Sequence, residues 1–400
     1  MKYDFDTVIP RRNTQCAKWD LSEALFGSRE AIPMWVADMD LPVAKPITDA
    51  IQKRTDHAIF GYPERAPKST IDAVINRIKR LYNWTVHPDW IVFTPGVVPA
   101  LYGLIKALTD PGDSVLCQGP VYYPFWSVIN NNGCLAADNQ LQLVNNRYEV
   151  DFDDLENWFK PKGSLFPEPS RIKSMILSNP HNPVGRVWSE SELRQMGEIV
   201  LKNNAVMISD EIHCELLFKG FKHVPFATLS EEFEQRSVTC MAASKTFNLA
   251  GLGASVIIIP DPEIRAAFAR AKNGIMGGVN IFGLTALEAA FNEGDEWLSQ
   301  LLEYLEGNLQ LVKTFLNEKV KKINLIQPEG TYLLWLDCRK LKLSASEMMS
   351  FIKNEIVLGM EEGSLFGPNG EGFIRMNIAC PRSVLTEALN RIQKAVDRNF

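Results

Sequence analysis

Between residues 90 and 260 the sequence alternates two kinds of segment, and few folds accept that alternation. Short apolar runs, among them Trp90–Thr94, Ser114–Gln118, Lys173–Ser178, Val206–Asp210, Ser237–Met241 and Ala254–Ile259, are separated by stretches with helical spacing. Ala100, Leu101, Leu104, Ile105 and Leu108 mark one amphipathic helix, and Leu193, Met196, Ile199 and Val200 mark another within Ser191–Lys202. A strand that runs into a helix returns to its sheet by a crossover, which makes the next strand parallel. The pattern therefore predicts an α/β fold, with a mainly parallel sheet between helices.

Three polar residues stand at or just past the ends of such runs. Asn182 lies in Ser178-Asn-Pro-His-Asn-Pro-Val-Gly185, Asp210 closes Val206–Asp210, and Lys245 follows Ser237–Met241 among the small residues Ala242, Ala243 and Ser244. In open α/β sheets that edge is where ligands bind. A lysine taken out of water loses basicity and gains the use of a free amine, as nucleophile or base, which suits Schiff-base chemistry. The plainer alternative is a lysine whose stem lies on the surface with its charge in solvent. Upstream, Thr94-Pro-Gly-Val-Val98 joins a strand to a helix start, where free N–H groups and the helix dipole favour an anion such as phosphate. Arg375 alternates with apolar residues in Phe373–Ile378 and is either an interdomain ion pair or a two-pronged holder of a carboxylate.

In this order, Asn-Pro-x-Asn-Pro-x-Gly, a strand-end Asp and Ser-Lys resemble the fold-type-I pyridoxal-phosphate (PLP) enzymes of the aminotransferase class I/II superfamily, from about Met34 to Arg382. The segments Trp35–Asp40, Gly96–Leu101, Asp210–His213, Ser244–Asn248 and Arg375–Arg382 are similar to its cystathionine β-lyase (cysteine C–S lyase) branch. The resemblance implies a seven-stranded large PLP-binding domain over residues 51–285, a smaller α+β domain over 286–400, and an N-terminal arm and entrance segment over 1–50 packed against the small domain. It implies that Lys245 carries the cofactor and moves protons, that Asp210 pairs with the pyridine nitrogen, and that Asn182 and His213 meet the ring oxygen. Tyr122 would stack on the ring, with Gly96, Val97, Val98, Ser244 and a Tyr62 from the neighbouring subunit on the phosphate. Arg375, Trp35 and Ala37 would meet substrate, and Tyr123 would serve the leaving group.

The implied activity is α,β-elimination from cystathionine or another S-substituted cysteine, giving thiol, pyruvate and ammonia; an aminotransferase using the same site is the alternative, and a regulatory PLP-binding protein a third. Departures from common aminotransferase usage are His213 in place of a tyrosine, Gly253 in place of an arginine, and Ala242 in place of a hydroxyl. Leu41 replaces a Phe of the lyase branch.

Composition narrows the classes further. A formal charge of −6 argues against a nucleic-acid binder, and no run reaches the length of a membrane span. Seven cysteines without a CxxC pair read as reduced thiols in the cytoplasm, and five scattered histidines give no metal spacing. Residues 130–172, with Pro161, Pro167 and Pro169, read as an excursion from the sheet, and a long helix carries Trp297, Leu301, Leu305, Leu309, Val312 and Leu316 toward the small domain.

Overall fold

The computed structural model describes residues 1–65, 67–160 and 172–400. Its large sheet has seven strands: β1 (Ile91–Thr94), β2 (Ser114–Cys117), β3 (Leu135–Asp138), β4 (Ile172–Ser178), β5 (Val206–Asp210), β6 (Ser237–Met241) and β7 (Ser255–Ile258). They lie in the order β1-β7-β6-β5-β4-β2-β3, with β7 antiparallel to both neighbours and the other pairings parallel. The central strands alternate apolar residues between two cores. Met175, Leu177 and Met207 pack in one with Leu193, Met196 and Ile199, whereas Ile176, Ile208 and Val238 pack in the other with Leu101, Leu104 and Phe268. The first core is covered by α2 (Glu190–Lys202) and the second by α1 (Val97–Leu108) and α3 (Pro262–Lys272). Strands buried on both faces need apolar residues at successive positions, which is why these runs show so little polar alternation.

The expected excursion is only partly one. Leu135–Asp138 is an edge strand of the main sheet, followed by a hairpin (Gln142–Val144 with Arg147–Glu149) and a helix, Phe152–Phe159. Its short sequence, LAAD, leaves Leu135 and Ala136 exposed and carries little apolar signal. Pro161, Pro167 and Pro169 lie outside the described residues.

After β7 the chain forms α4 (Ile281–Glu293) and α5 (Asp295–Lys319), which meet at Gly294. A side chain at Gly294 would fall 2.3 Å from the Phe247 ring, so the corner needs a residue without one. A smaller antiparallel sheet follows, β8 (Asn324–Leu325), β9 (Leu333–Asp337), β10 (Glu361–Glu362) and β11 (Phe373–Asn377), in the order β8-β9-β11-β10. The amino-terminal segment joins it, since Ile32–Pro33 pairs with Leu358–Gly359 and the Asn377 side chain donates to the carbonyls of Val36 and Asp38 at 2.7 Å each. No helix among the described residues is long and apolar enough to cross a membrane.

Candidate active site

The carboxyl ends of the parallel strands β4, β5 and β6 meet the start of α1 around a cavity of about 190 Å³. Ser178, the last residue of β4, lies in register with Asp210, and Asp210 with Cys240 of β6. Strand β6 stops at Met241, so Lys245 sits not at the strand end but in a single helical turn, Ala243–Thr246, just beyond it. That turn carries the side chain back over the cavity, where Nζ donates to the Ala37 carbonyl at 2.7 Å.

The charges here are poorly compensated. Burial, helped by the Arg375 charge, lowers the Lys245 pKa to about 8, against the opposing pull of Asp38 and Asp210. Burial raises Asp210 to about 7, since its aids are one backbone N–H from Ile212 at 3.2 Å and the more distant charge of Lys245. The neighbouring Glu211 points elsewhere and is fully engaged by Ser209, His223 and the Phe226 N–H. Burial, then the charges of Lys245 and Arg375, push His213 down to about 3, so its ring is neutral; its Nδ1 is buried without a partner. A carboxylate short of a cation and an imidazole with a buried nitrogen short of a hydrogen bond belong to residues that line one cavity beside an amine. Polar groups left in that state are costly unless a ligand completes them.

Ten of the fourteen residues singled out in the sequence line this cavity: Lys245, Asp210, Asn182 and His213, then Ala37 and Tyr122, and finally Gly96, Val97, Val98 and Ser244. Gly253 also lines it, at φ +55° and with space for a side chain blocked by the Pro95 carbonyl at 3.0 Å. An arginine at this position would strain the backbone, which accounts for that departure.

The other four lie elsewhere. Arg375 is buried behind Asn182: Nη1 donates to Asn182 Oδ1 at 2.9 Å, and Nη2 donates to the Trp35 carbonyl at 2.9 Å and pairs with Glu361. The arginine is thus already a strut between segments, whatever else it holds. Trp35 turns its indole away, donating to the Lys18 carbonyl. Tyr123 is partly exposed and packs between Tyr122 and Phe366, and Tyr62 is fully exposed in the single chain.

Three residues at the site escaped the sequence reading. Tyr332, buried just before β9, donates to the Ala37 carbonyl at 2.9 Å and meets the His213 ring edge-on. Asn248 binds the backbone of Met39 and Leu41 through three hydrogen bonds, and so fixes Ala37 against Lys245. Its backbone is left-handed, at φ 59°, a conformation that asparagine adopts more readily than most residues. Glu361 is the third.

Comparison with known proteins follows the same lines. The aminotransferase class I and II family model matches residues 32–392. The chain is 43% identical to cystathionine beta-lyase PatB of Bacillus subtilis over 98% of its length and 100% of the relative's. A PLP-bound structure from Clostridium difficile 630, provisionally named an aminotransferase, is 41% identical with a TM-score of 0.94, covering 99% of this chain and all of that one. The PLP-bound C–S lyase of Staphylococcus hominis is 33% identical with a TM-score of 0.90, over 99% and 98% of the two chains.

Proposed function

This chain belongs to the aminotransferase class I and II family, and from that premise we propose that it is a PLP-dependent carbon–sulfur β-lyase acting on cystathionine or related S-substituted L-cysteines. The observation that carries the reading is the cavity in which an amine of depressed basicity faces a buried carboxylate with no cation of its own. Full-length similarity to a cystathionine β-lyase and a C–S lyase selects elimination over transamination.

The residues fit the cofactor. Asp210 supplies the anion for a pyridinium, and the unpartnered face of His213 and the amide of Asn182 suit a ring oxygen. The first N–H groups of α1 at Gly96, Val97 and Val98, with the Ser244 hydroxyl, suit a phosphate. Tyr122 covers one face. Pyridoxal phosphate, when bound, supplies an aldehyde that takes amines and a protonated ring that accepts an electron pair.

Lys245 would hold the cofactor, and its Nζ, when free, would remove the substrate's Cα proton. Low basicity keeps a useful fraction of that amine neutral near pH 7 to 8. Asp210 would stay ionised against the ring nitrogen and hold a proton there, which would let the ring accept the electron pair. Arg375 orients the substrate carboxylate, with the Trp35–Ala37 segment bordering it. The Cβ–S bond then breaks with its electron pair on sulfur, and Tyr123 or Lys245 returns a proton to the thiolate. Water completes the hydrolysis of the released 2-aminoacrylate to pyruvate and ammonia.

The active unit is a homodimer in which Tyr62 reaches the neighbouring subunit's phosphate site. Its full exposure, beside the exposed Ile59 and Phe60, supports this. We divide the chain into an arm (1–50), a cofactor domain (51–285) and a small domain (286–400), and place it in the cytoplasm, in keeping with seven unpaired cysteines.

Product analysis in deuterium oxide tests the reaction type. An S-substituted cysteine should yield free thiol and pyruvate carrying deuterium in its methyl group, because the released enamine takes a solvent proton at Cβ. A keto acid that retains the sulfur as the main product would identify a transaminase.

A further inference from the structure

Glu361 is a buried carboxylate that none of the steps above uses. It stands opposite Arg375 in the β10–β11 register, its side chain pairs with Arg375 Nη2, and both residues are almost fully buried. The remaining partners of the guanidinium are the Trp35 carbonyl on Nη2 and Asn182 on Nη1, while Nε is buried without one.

A planar guanidinium offers two forks to a carboxylate, one formed by Nε with Nη2 and the other by Nη1 with Nη2. Both include Nη2, and Glu361 is already on it. A substrate carboxylate that takes a two-pronged hold must therefore displace Glu361 or share the guanidinium with it. Displacement strands a buried anion, which is strongly unfavourable. Sharing sets two carboxylates on one cation and leaves an unbalanced negative charge. In either case the occupied site lacks one positive charge.

The geometry also says where that charge is felt. The Arg375 guanidinium lies over the Phe366 ring at 4.9 Å, and Phe366 packs against Tyr123 at 5.8 Å between ring centres. Glu361 acts electrostatically on Tyr123 in the same sense as the burial that raises the Tyr123 pKa, and the Arg375 charge acts against it. With Tyr123 serving the leaving group, as proposed above, the side where the sulfur substituent leaves is the side that feels Glu361.

We propose that Glu361 is a specificity-determining residue that makes the enzyme prefer cysteine thioethers whose sulfur substituent carries a positive charge and reject those whose substituent carries a negative one. The proposal rests on the lyase reading and on Arg375 as the carboxylate holder. A distal ammonium restores neutrality beside Glu361, a neutral alkyl group leaves the deficit, and a distal carboxylate deepens it.

The test uses the holoenzyme and three thioethers of similar size: S-(2-aminoethyl)-, S-propyl- and S-carboxymethyl-L-cysteine. Pyruvate release gives kcat and KM for each with the wild type, Glu361→Gln and Glu361→Asp. In the wild type, kcat/KM for the aminoethyl substrate should exceed that for propyl by about tenfold and that for carboxymethyl by about a hundredfold, as expected for one unit charge near a partly buried ion. Glu361→Gln should bring the three within about threefold of one another, chiefly through KM, and Glu361→Asp should keep the wild-type order. Should Glu361→Gln be inactive toward all three, Glu361→Asp decides: the wild-type order supports the proposal and its loss overturns it. Pyruvate from all three with no dependence on charge, or an unchanged order in Glu361→Gln, overturns the proposal and leaves the lyase reading standing. No pyruvate from any of them overturns both.

Discussion

Replacing Asp210 by alanine should lower turnover by roughly a thousandfold or more while the protein still binds its cofactor. The reason lies in the balance at this carboxyl group. Burial raises its pKa to about 7, because the protein offers it little beyond the Ile212 N–H and the charge of Lys245. A cation placed against it would restore the charged form, and the pair would then hold a proton on the ring nitrogen. Without the carboxylate that nitrogen loses its proton and much of its capacity to accept electrons. Binding should survive because Lys245, the start of α1 and Ser244 also line the cavity. Asp210→Asn, equal in shape and without charge, should fall nearly as far, which separates charge from packing. The check is kcat measured beside the absorbance of bound cofactor; an alanine variant within tenfold of wild type would show that another group holds the ring nitrogen.

Lys245→Ala should cost more, roughly ten-thousandfold, the upper range for removing a positioned base. Among the described residues it is the one lysine on the cavity wall, so nothing nearby replaces its amine. Its position is fixed from a distance: Asn248 and Asn377 hold the backbone of residues 36–41, and Ala37 in turn receives Nζ. Borohydride reduction and peptide mapping of the wild type should find the cofactor on the peptide containing Lys245 and on no other. A reduced adduct on a different lysine would remove the chemistry from this residue.

The two residues are also the ones that sequence reveals best. Asp210 ends one apolar strand and Lys245 lies just past the next, where an ionisable residue is conspicuous, and the sheet sets Ser178, Asp210 and Cys240 side by side at that edge. The sheet itself was legible for the same reason, except at its edge. Leu135–Asp138 is short and half exposed, so neither period nor composition marks it. What the sequence hides is pairing between distant segments. Ala37 matters through its carbonyl, which is independent of its side chain. Tyr332 sits beside the apolar strand β9, where an aromatic residue attracts no notice. Glu361 belongs to a two-residue strand, and only the register of β10 on β11 sets it against Arg375. Arg375 itself alternates with apolar residues as expected, yet its place behind Asn182 depends on how the two sheets approach, which no local pattern encodes.

Elimination needs no second substrate, and transamination does, because it leaves the cofactor in its amine form after each half-reaction. Incubating the purified enzyme with L-cystathionine and no keto acid, and following thiol, pyruvate and ammonia together, therefore separates the two reactions. A lyase should release all three in equal amounts over many turnovers per active site. One equivalent of product per site followed by a stall that an added keto acid relieves would contradict the lyase reading.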